Sequence, residues 1–238
     1  MSLLKVLVIF GLGLTSFSCG LGVEETQTSE PVTYIVSPEK ISLHWKDADG
    51  KKYKQLEQVR TVLEEDGKQL ELLMNAGIYE EGEIPSGLHI ENGNTLNQVN
   101  TKDGKGNFYT KPNGIFHITD KDAQISETND YIKLDLEPDL AIQSGPLLMQ
   151  DGKAIPGIEQ STKSKFTRNG IGVRADGQVI IIYSPKEISL AELTNLFKQA
   201  GAESALYLDG FVSKTVEPEP RTRIEAHTDF ASIIAVEQ

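Results

Sequence analysis

The chain has 238 residues, of which 23 are lysine or arginine and 35 are aspartate or glutamate, so its formal net charge at pH 7 is -12. No block of basic residues offsets this charge, so the chain gains little counterion release from nucleic acid and is repelled by anionic membranes. We therefore expect no nucleic-acid partner, although a local basic pocket could still hold an anionic substrate. A single cysteine excludes any disulfide within the chain.

The N-terminus has the features of a secretory signal in their usual order. Lys5 precedes an apolar stretch over residues 6–14, and small and polar residues follow up to Cys19. This stretch is too short to span a bilayer as a helix. We expect residues 1–18 to be removed as a signal peptide of the lipoprotein type, with Cys19 carrying the lipid. Ordinary cleavage nearby is the alternative, and it also implies export.

The segment after the signal is polar and uncharacteristic of a packed fold. Residues 19–31 predict a flexible tether, and residues 32–238 are expected to form a single domain with a substantial core. This organisation predicts a protein of the bacterial cell envelope, held to a membrane through Cys19 and facing the periplasm or the exterior. Its oligomeric state is left open.

Turn signals recur along this domain as an acidic or amide residue followed by glycine between apolar runs. These pairs are Asp66-Gly67, Asn92-Gly93, Asp151-Gly152 and Asp176-Gly177. The flanking runs predict strands over 59–64, 69–74, 87–91, 114–119, 146–150, 171–174 and 178–183. Several runs alternate apolar and polar residues, which indicates sheets buried on one face.

One helix is well specified, over residues 189–200. Ser189 and Glu192 form a capping box, an apolar stripe follows at helical spacing, and Gly201 ends the helix. With the strand before it and a strand over 205–208 after it, this helix predicts a crossover between parallel strands. A shorter helical turn is predicted over 138–143 and a closing strand over 230–236.

These elements predict an α+β fold with mixed, largely antiparallel sheets, few helices and one βαβ crossover near the C-terminal part. Asp209 follows the second crossover strand, at the edge where loops bring polar groups to a ligand. Three segments combine a polar residue with glycine at such boundaries: Asn75-Ala76-Gly77, residues 168–172 and residues 208–210. Each segment alone is more typical of a tight turn than of a binding site, and it is their combination that indicates a site.

In order and setting, these segments resemble the phosphodiester glycosidase family. The resemblance covers most of the chain after about residue 55, and its carriers are Asn75-Ala76-Gly77, 85–88, 143–148, 168–172 and 205–210. It implies that one polar site is lined by Asn75, Ser144, Gly145, Arg168, Asp209 and Gly210, with Ser213 as a further candidate. The chain departs from the family pattern at Ala76, at Ile78-Tyr79 and at Phe211.

The resemblance also implies a reaction, hydrolysis of the bond between sugar C1 and oxygen in a sugar-phosphate diester. Arg168, with the backbone N–H groups of Gly170 and Gly172, is suited to bind the phosphodiester anion. Asp209 is suited to stand by the oxocarbenium ion that develops at C1, and Asn75 to bind the sugar. Lys163 and Lys165 would add local positive charge.

The remaining polar residues are assigned more modest roles. Glu80, Glu81 and Glu83 are alternative candidates for the catalytic carboxylate. A second acid is not required, because a phosphate monoester is a good leaving group without protonation. The four histidines lack zinc-ligand spacing. No cofactor is required, and calcium or magnesium held by oxygen ligands from distant segments stays open. The alternative to the enzyme is a lipid-tethered, non-catalytic envelope protein that binds a phosphorylated glycan, and a scaffold with no convergent polar pocket is a third reading.

Overall fold

The computed structural model describes residues 30–209 and 229–238, together with the backbone of 215–216. Cys19, Gly210, Phe211 and Ser213 lie outside the described residues. No helix in the described part of the chain is both long and apolar enough to cross a membrane.

Strands dominate the described part of the chain. In chain order they are β1 (Val32–Val36), β2 (Ile41–His44), β3 (Leu70–Ala76), β4 (Tyr79–Glu80), β5 (Ile84–Pro85), β6 (His89–Glu91), β7 (Asn94–Asn97), β8 (Gly114–Thr119), β9 (Asp122–Glu127), β10 (Leu140–Ser144), β11 (Leu147–Gln150), β12 (Lys153–Ala154), β13 (Phe166–Arg174), β14 (Val179–Ile188), β15 (Ala202–Tyr207), β16 (Thr215–Val216) and β17 (Ser232–Glu237). The α-helices are α1 (Leu56–Glu65), α2 (Thr128–Tyr131) and α3 (Leu190–Gln199), and Pro38–Lys40 forms a 3-10 turn.

The strands form three larger sheets and a short ribbon. The six-stranded sheet has the order β1-β14-β13-β15-β11-β12, and the five-stranded sheet has the order β7-β6-β10-β8-β9. A four-stranded sheet follows the order β16-β3-β17-β2, and β4 pairs with β5. Neighbouring strands in the described sheets pair antiparallel, which confirms the expected α+β class with largely antiparallel sheets.

The crossover is also confirmed. Both β14 and β15 pair antiparallel with β13, which lies between them, so β14 and β15 run parallel in one sheet. Helix α3 connects them, and the capping box of Ser189 and Glu192 begins it as expected. The crossover therefore fixes the direction of β15, whose end carries Asp209.

A shared apolar core lies between the three larger sheets. Leu72 and Met74 of β3, Ile142 of β10 and Leu206 of β15 are all at most 2% exposed and belong to it. Because side chains alternate along a strand, Leu73 points the other way and packs under α1. The second face of the six-stranded sheet packs against α3, chiefly through Phe197.

Two expected elements were wrong. The strand expected over 59–64 is helix α1, because Leu56, Val59 and Leu63 bury one helical face. Asp66 and Gly67 therefore end a helix instead of turning a hairpin. The helical turn expected over 138–143 is strand β10, whose five residues are all buried at the centre of its sheet.

Most other elements agree with the expectation. Asn92-Gly93 connects β6 to β7, Asp151-Gly152 connects β11 to β12, and Asp176-Gly177 connects β13 to β14, each an antiparallel pair. The closing strand expected over 230–236 is β17, which pairs with β3 and β2. β17 thus fixes the end of β3, where Asn75 lies.

Candidate functional site

A polar cluster forms where β3, β10 and β15 end and β13 begins. The side-chain amide of Asn75 donates to the backbone oxygen of Asp209 at 3.2 Å, and Ser144 Oγ donates to the backbone oxygen of Leu208 at 2.8 Å. Asn169 Oδ1 accepts from the Asp209 N–H at 2.8 Å, and its Nδ2 donates to the Asn75 carbonyl at 2.9 Å. The structure thus brings Asn75, Ser144 and Asp209 together, as expected.

The residues of this cluster differ in burial. Asn75 is 1% exposed, and Ser144 and Asn169 are 0% exposed, whereas Asp209 is half-buried. Buried polar groups persist when they are hydrogen-bonded, as these are. The buried amides and the hydroxyl therefore hold the backbone that carries the half-buried Asp209.

Arg168 brings a buried charge to the same strand end. It is 2% exposed, and its nitrogens donate to the backbone oxygens of Ile188 and Ser164 and to the hydroxyl of Tyr207, at 3.0–3.2 Å. Within residues 30–209 and 229–238, the arginines in carboxylate ion pairs are Arg60 and Arg174, not Arg168. A buried charge without an anionic partner is costly, so this position favours an anion.

The strand register relates Arg168 to Asp209. Gly170 pairs with Tyr207 in the antiparallel ladder, and the Leu208 N–H continues that register to the Asn169 carbonyl at 3.4 Å. Arg168 precedes Gly170 by two residues and Asp209 follows Tyr207 by two. The cation and the carboxylate thus lie at the same end of the β13–β15 strand pair.

Gly170 and Gly172 do not line this cluster. A Cβ at Gly170 would lie 2.8 Å from the Leu206 carbonyl oxygen, and one at Gly172 would lie 2.8 Å from Phe197 Cδ1. Both glycines sit in β13 between two paired strands, so their N–H groups lie within the sheet ladder. The structure favours a packing role against α3, in place of the expected contact with a phosphate.

Gly145 also sits in a closely packed turn. A Cβ there would approach Asn113 Cβ to 2.7 Å and the Phe108 carbonyl oxygen to 2.9 Å. The neighbouring Gln143, which the sequence did not single out as a site residue, accepts from the N–H groups of Leu88 and Asn100 and donates to the Asn100 carbonyl at 2.8 Å. These contacts bind the long loop after β7 to the strand end that carries Ser144.

Tyr79 lies close enough to Asp209 for the carboxylate to act on its phenol. Its hydroxyl donates to the backbone oxygen of Asp229 at 2.7 Å. Burial, reinforced by the carboxylates of Asp209, Glu83 and Asp229, raises the pKa of Tyr79 to about 12. The phenol is therefore neutral across the physiological range and cannot serve there as a base.

Some of the expected basic residues and reserve carboxylates form ion pairs or hydrogen bonds, and the others are exposed. Lys165 pairs with Glu192 of α3 at 2.9 Å, and Lys163 is exposed. Glu83 pairs with Lys54 at 2.9 Å. Glu80 accepts from the hydroxyls of Ser86 and Tyr109 at 3.1 and 3.2 Å, whereas Glu81 is exposed. Lys165, Glu83 and Glu80 thus have partners other than Arg168 and Asp209.

Histidine and acidic side chains in the described ranges do not assemble into a group of three or more that could hold a metal ion. His89 is fully buried, where Ser232 Oγ lies 2.9 Å from its Nδ1 and Glu91 Oε1 lies 2.6 Å from its Nε2. These contacts join β6 to β17 within the core. The side chain of His89 is therefore held by hydrogen bonds inside the core.

Comparisons with known proteins agree with this architecture. A model of the phosphodiester glycosidase family matches residues 68–229. The uncharacterized protein YigE of Escherichia coli K12 is 32% identical over 196 residues, which are 82% of this chain and 76% of that protein.

Solved structures share the fold at low sequence identity. One is the catalytic domain of zebrafish N-acetylglucosamine-1-phosphodiester alpha-N-acetylglucosaminidase, auto-inhibited by its pro-peptide, with a TM-score of 0.61 and 12% identity over 88% of this chain and 83% of that one. Another is a hypothetical protein from Synechocystis, with a TM-score of 0.51 and 15% identity over 87% of this chain and 59% of that one.

Proposed function

Because the chain belongs to the phosphodiester glycosidase family, we propose that it hydrolyses the bond between sugar C1 and the phosphate oxygen of a sugar 1-phosphate diester. Water supplies the hydroxyl that ends on C1, and the phosphate leaves as a monoester that keeps the second esterified group. The observation that carries this proposal is the buried Arg168, which lies at the same strand end as the half-buried Asp209.

The two residues would act on opposite ends of the bond that breaks. Arg168 would hold the phosphodiester anion and stabilise the extra negative charge that the leaving oxygen gains. Asp209 would stand by the positive charge that develops at C1, as nucleophile, as base or as electrostatic partner. Since a phosphate monoester is already a good leaving group, no second carboxyl group is needed to protonate it.

Asn75 and Ser144 would support this chemistry through the backbone. Their side chains donate to the carbonyls of Asp209 and Leu208, the residues that carry and precede the carboxylate. Catalytic groups must be held within a fraction of an ångström for full effect. The name of the zebrafish relative suggests N-acetylglucosamine as the first sugar to test.

The test follows the phosphorus signal of diesters of N-acetylglucosamine, glucose and mannose 1-phosphate by NMR in ¹⁸O-labelled water, with and without added calcium or magnesium. We expect the wild type to release unlabelled monoester, because the label enters the sugar when C1–O breaks. Asp209→Asn should reduce the rate about 10²- to 10³-fold. Asp130→Asn, which removes an exposed carboxylate paired with Lys133, is the matched control.

Two outcomes would overturn the proposal. Label in the phosphate would mean that the P–O bond breaks, as in a phosphodiesterase. No turnover of any diester, under either metal condition, would favour the non-catalytic protein that binds a phosphorylated glycan. Calorimetric titration of each sugar 1-phosphate into wild type and Arg168→Gln would then measure that binding.

We also propose that the protein is exported and anchored in the cell envelope through a lipid on Cys19. The support is the order of Lys5, the apolar residues 6–14 and the single cysteine. Cells grown with radiolabelled palmitate should label the wild type but not Cys19→Ala. An unlabelled wild type that is nevertheless shortened at its N-terminus would point to ordinary signal cleavage.

A further inference from the structure

Asn169 is a buried residue of the cluster that contacts both Asp209 and Asn75. It lies in β13 with no exposed surface, and both ends of its side-chain amide are bonded. Oδ1 accepts from the backbone N–H of Asp209 at 2.8 Å. Nδ2 donates to the backbone carbonyl of Asn75 at 2.9 Å and lies 3.4 Å from its side-chain oxygen. One side chain thus touches both of its neighbours in the cluster.

The backbone N–H of Asp209 lies just beyond the end of the β13–β15 ladder, so it bonds to the Asn169 side chain. The Leu208 N–H still bonds to the backbone carbonyl of Asn169, at 3.4 Å, whereas strand β15 ends at Tyr207. The next N–H, that of Asp209, goes to the Asn169 side chain. A backbone bond and a side-chain bond from one residue therefore hold two successive peptides, and this fixes the direction in which Asp209 leaves the sheet.

We propose that Asn169 is a positioning residue, which holds the backbone of Asp209 and of Asn75 in the geometry that the reaction uses. This inference rests on the proposed function. Asn169 contacts the backbone of Asp209 and not its carboxylate, so it acts through Asp209. Arg168, the neighbouring residue, sends its side chain to Ile188, Ser164 and Tyr207 instead, so phosphate binding and carboxylate positioning are separate tasks of adjacent residues.

Two substitutions separate the two bonds. Asn169→Asp keeps the shape and the acceptor for the Asp209 N–H but loses the donor to Asn75. Asn169→Leu keeps about the same volume and loses both. The matched control is Asn113→Asp, because Asn113 is also fully buried, donates to the Phe108 carbonyl at 3.0 Å and accepts from the Thr128 hydroxyl at 2.8 Å.

The experiment measures kcat and KM of the full chain on the diester that the wild type cleaves fastest, together with the urea midpoint of each variant. We expect both Asn169 variants to lower kcat about 10²-fold, as a displacement of about 1 Å can do, with KM changed less than about threefold. Asn113→Asp should lower the urea midpoint comparably yet keep kcat within about twofold. A kcat loss no greater than that of Asn113→Asp would overturn the inference.

Hydrogen exchange at the Asp209 amide, followed by NMR, tests the same contact without any substrate. We expect exchange to be slow in the wild type and in Asn169→Asp, and at least about tenfold faster in Asn169→Leu, because opening frees the amide. Equal exchange in all three proteins would overturn the positioning role. If the wild type cleaves no diester while this exchange pattern holds, the proposed function fails and the structural role of Asn169 stands.

Discussion

Arg168 and Asp209 lie at the same end of the β13–β15 strand pair, two residues before Gly170 and two residues after Tyr207, which pair in the ladder. Arg168 is 2% exposed, and its described hydrogen bonds go to two carbonyls and one hydroxyl. A guanidinium in this setting lacks water to solvate it and favours a bound anion.

Arg168→Gln should weaken the binding of a sugar 1-phosphate at least about tenfold, and Arg168→Lys should recover only part of it, because an ammonium lacks the planar fork. The measurement is the rise in melting temperature with ligand. At about 100 times its Kd, the ligand should stabilise the wild type by about 2.7 kcal/mol.

The control is Arg174→Gln, at the far end of β13, where Arg174 pairs with Asp176 at 3.3 Å. This variant should keep the full rise in melting temperature. An equal rise in the Arg168 and Arg174 variants would show that the anion binds elsewhere.

Glu192 should make folding stability depend on acid. The backbone N–H of Ser189, then Lys165 and the Ser189 hydroxyl, lower the pKa of Glu192 from its ordinary 4.5 to about 2. A carboxyl group with a depressed folded pKa stabilises above its unfolded pKa, and this stabilisation is lost as the pH falls from 4.5 toward 2.

Glu192→Gln should therefore lower the unfolding free energy by about 1 kcal/mol or less near neutral pH, since the carboxylate is partly exposed and screened. The deficit should shrink at about pH 3, in urea titrations at both pH values. The exposed Glu159→Gln is the control. A deficit that is independent of pH would contradict the assignment.

His117 should contribute a second pH dependence at higher pH. Burial, opposed weakly by Asp122, lowers the pKa of His117 from 6.5 to about 4. The unfolded chain therefore takes up this proton first, so stability is complete above 6.5 and falls as the pH drops toward 4. His117→Gln should flatten the unfolding free energy over that interval in urea titrations.

The comparison must leave His44 in both proteins, because burial lowers the pKa of His44 as well. Only the difference between wild type and variant then reports on His117. Parallel curves for the two proteins between these pH values would refute the prediction.

Gly172 should be intolerant of a side chain because Phe197 of α3 occupies the space. A Cβ at this position would lie 2.8 Å from Phe197 Cδ1 and 3.1 Å from the Ser204 carbonyl oxygen. We expect Gly172→Ala to destabilise the fold by about 1–3 kcal/mol, as overpacking does. In a double-mutant cycle, Phe197→Leu should relieve part of this loss, and strict additivity would contradict the packing role.

The sequence predicted elements well where one short signal decided them. Asn92-Gly93 and Asp176-Gly177 turn hairpins because these residue types suit the turn, and Ser189 with Glu192 begins α3 because their side chains bond the free N–H groups. Helix α1 was not predicted, because its N-cap residue is Gln55, which is not one of the usual cap residues. Strand β10 was not predicted, because a short, fully buried run lacks the alternation of apolar and polar residues that distinguishes a strand from a helix.

Some residues of the candidate site were also predictable from the sequence, and others were not. Asn75, Ser144, Arg168 and Asp209 were named from segments that resemble a family, and the structure gathers them at one strand end. Gly170 and Gly172 were assigned to a substrate and pack instead on Phe197. Asn169 was passed over between them, because no local pattern distinguishes an asparagine that bonds a distant peptide from one in a turn.

By itself, the sequence determined the antiparallel character of the sheets and the crossover that directs β15. These follow from local propensity and from periodicity over a few residues. The export signal expected at residues 1–18 stays a prediction. Only the tertiary structure decided which face each residue of β13 presents and what it meets there. Asn169 and Asp209 are 40 residues apart, and their 2.8 Å contact exists only because strand register aligns them.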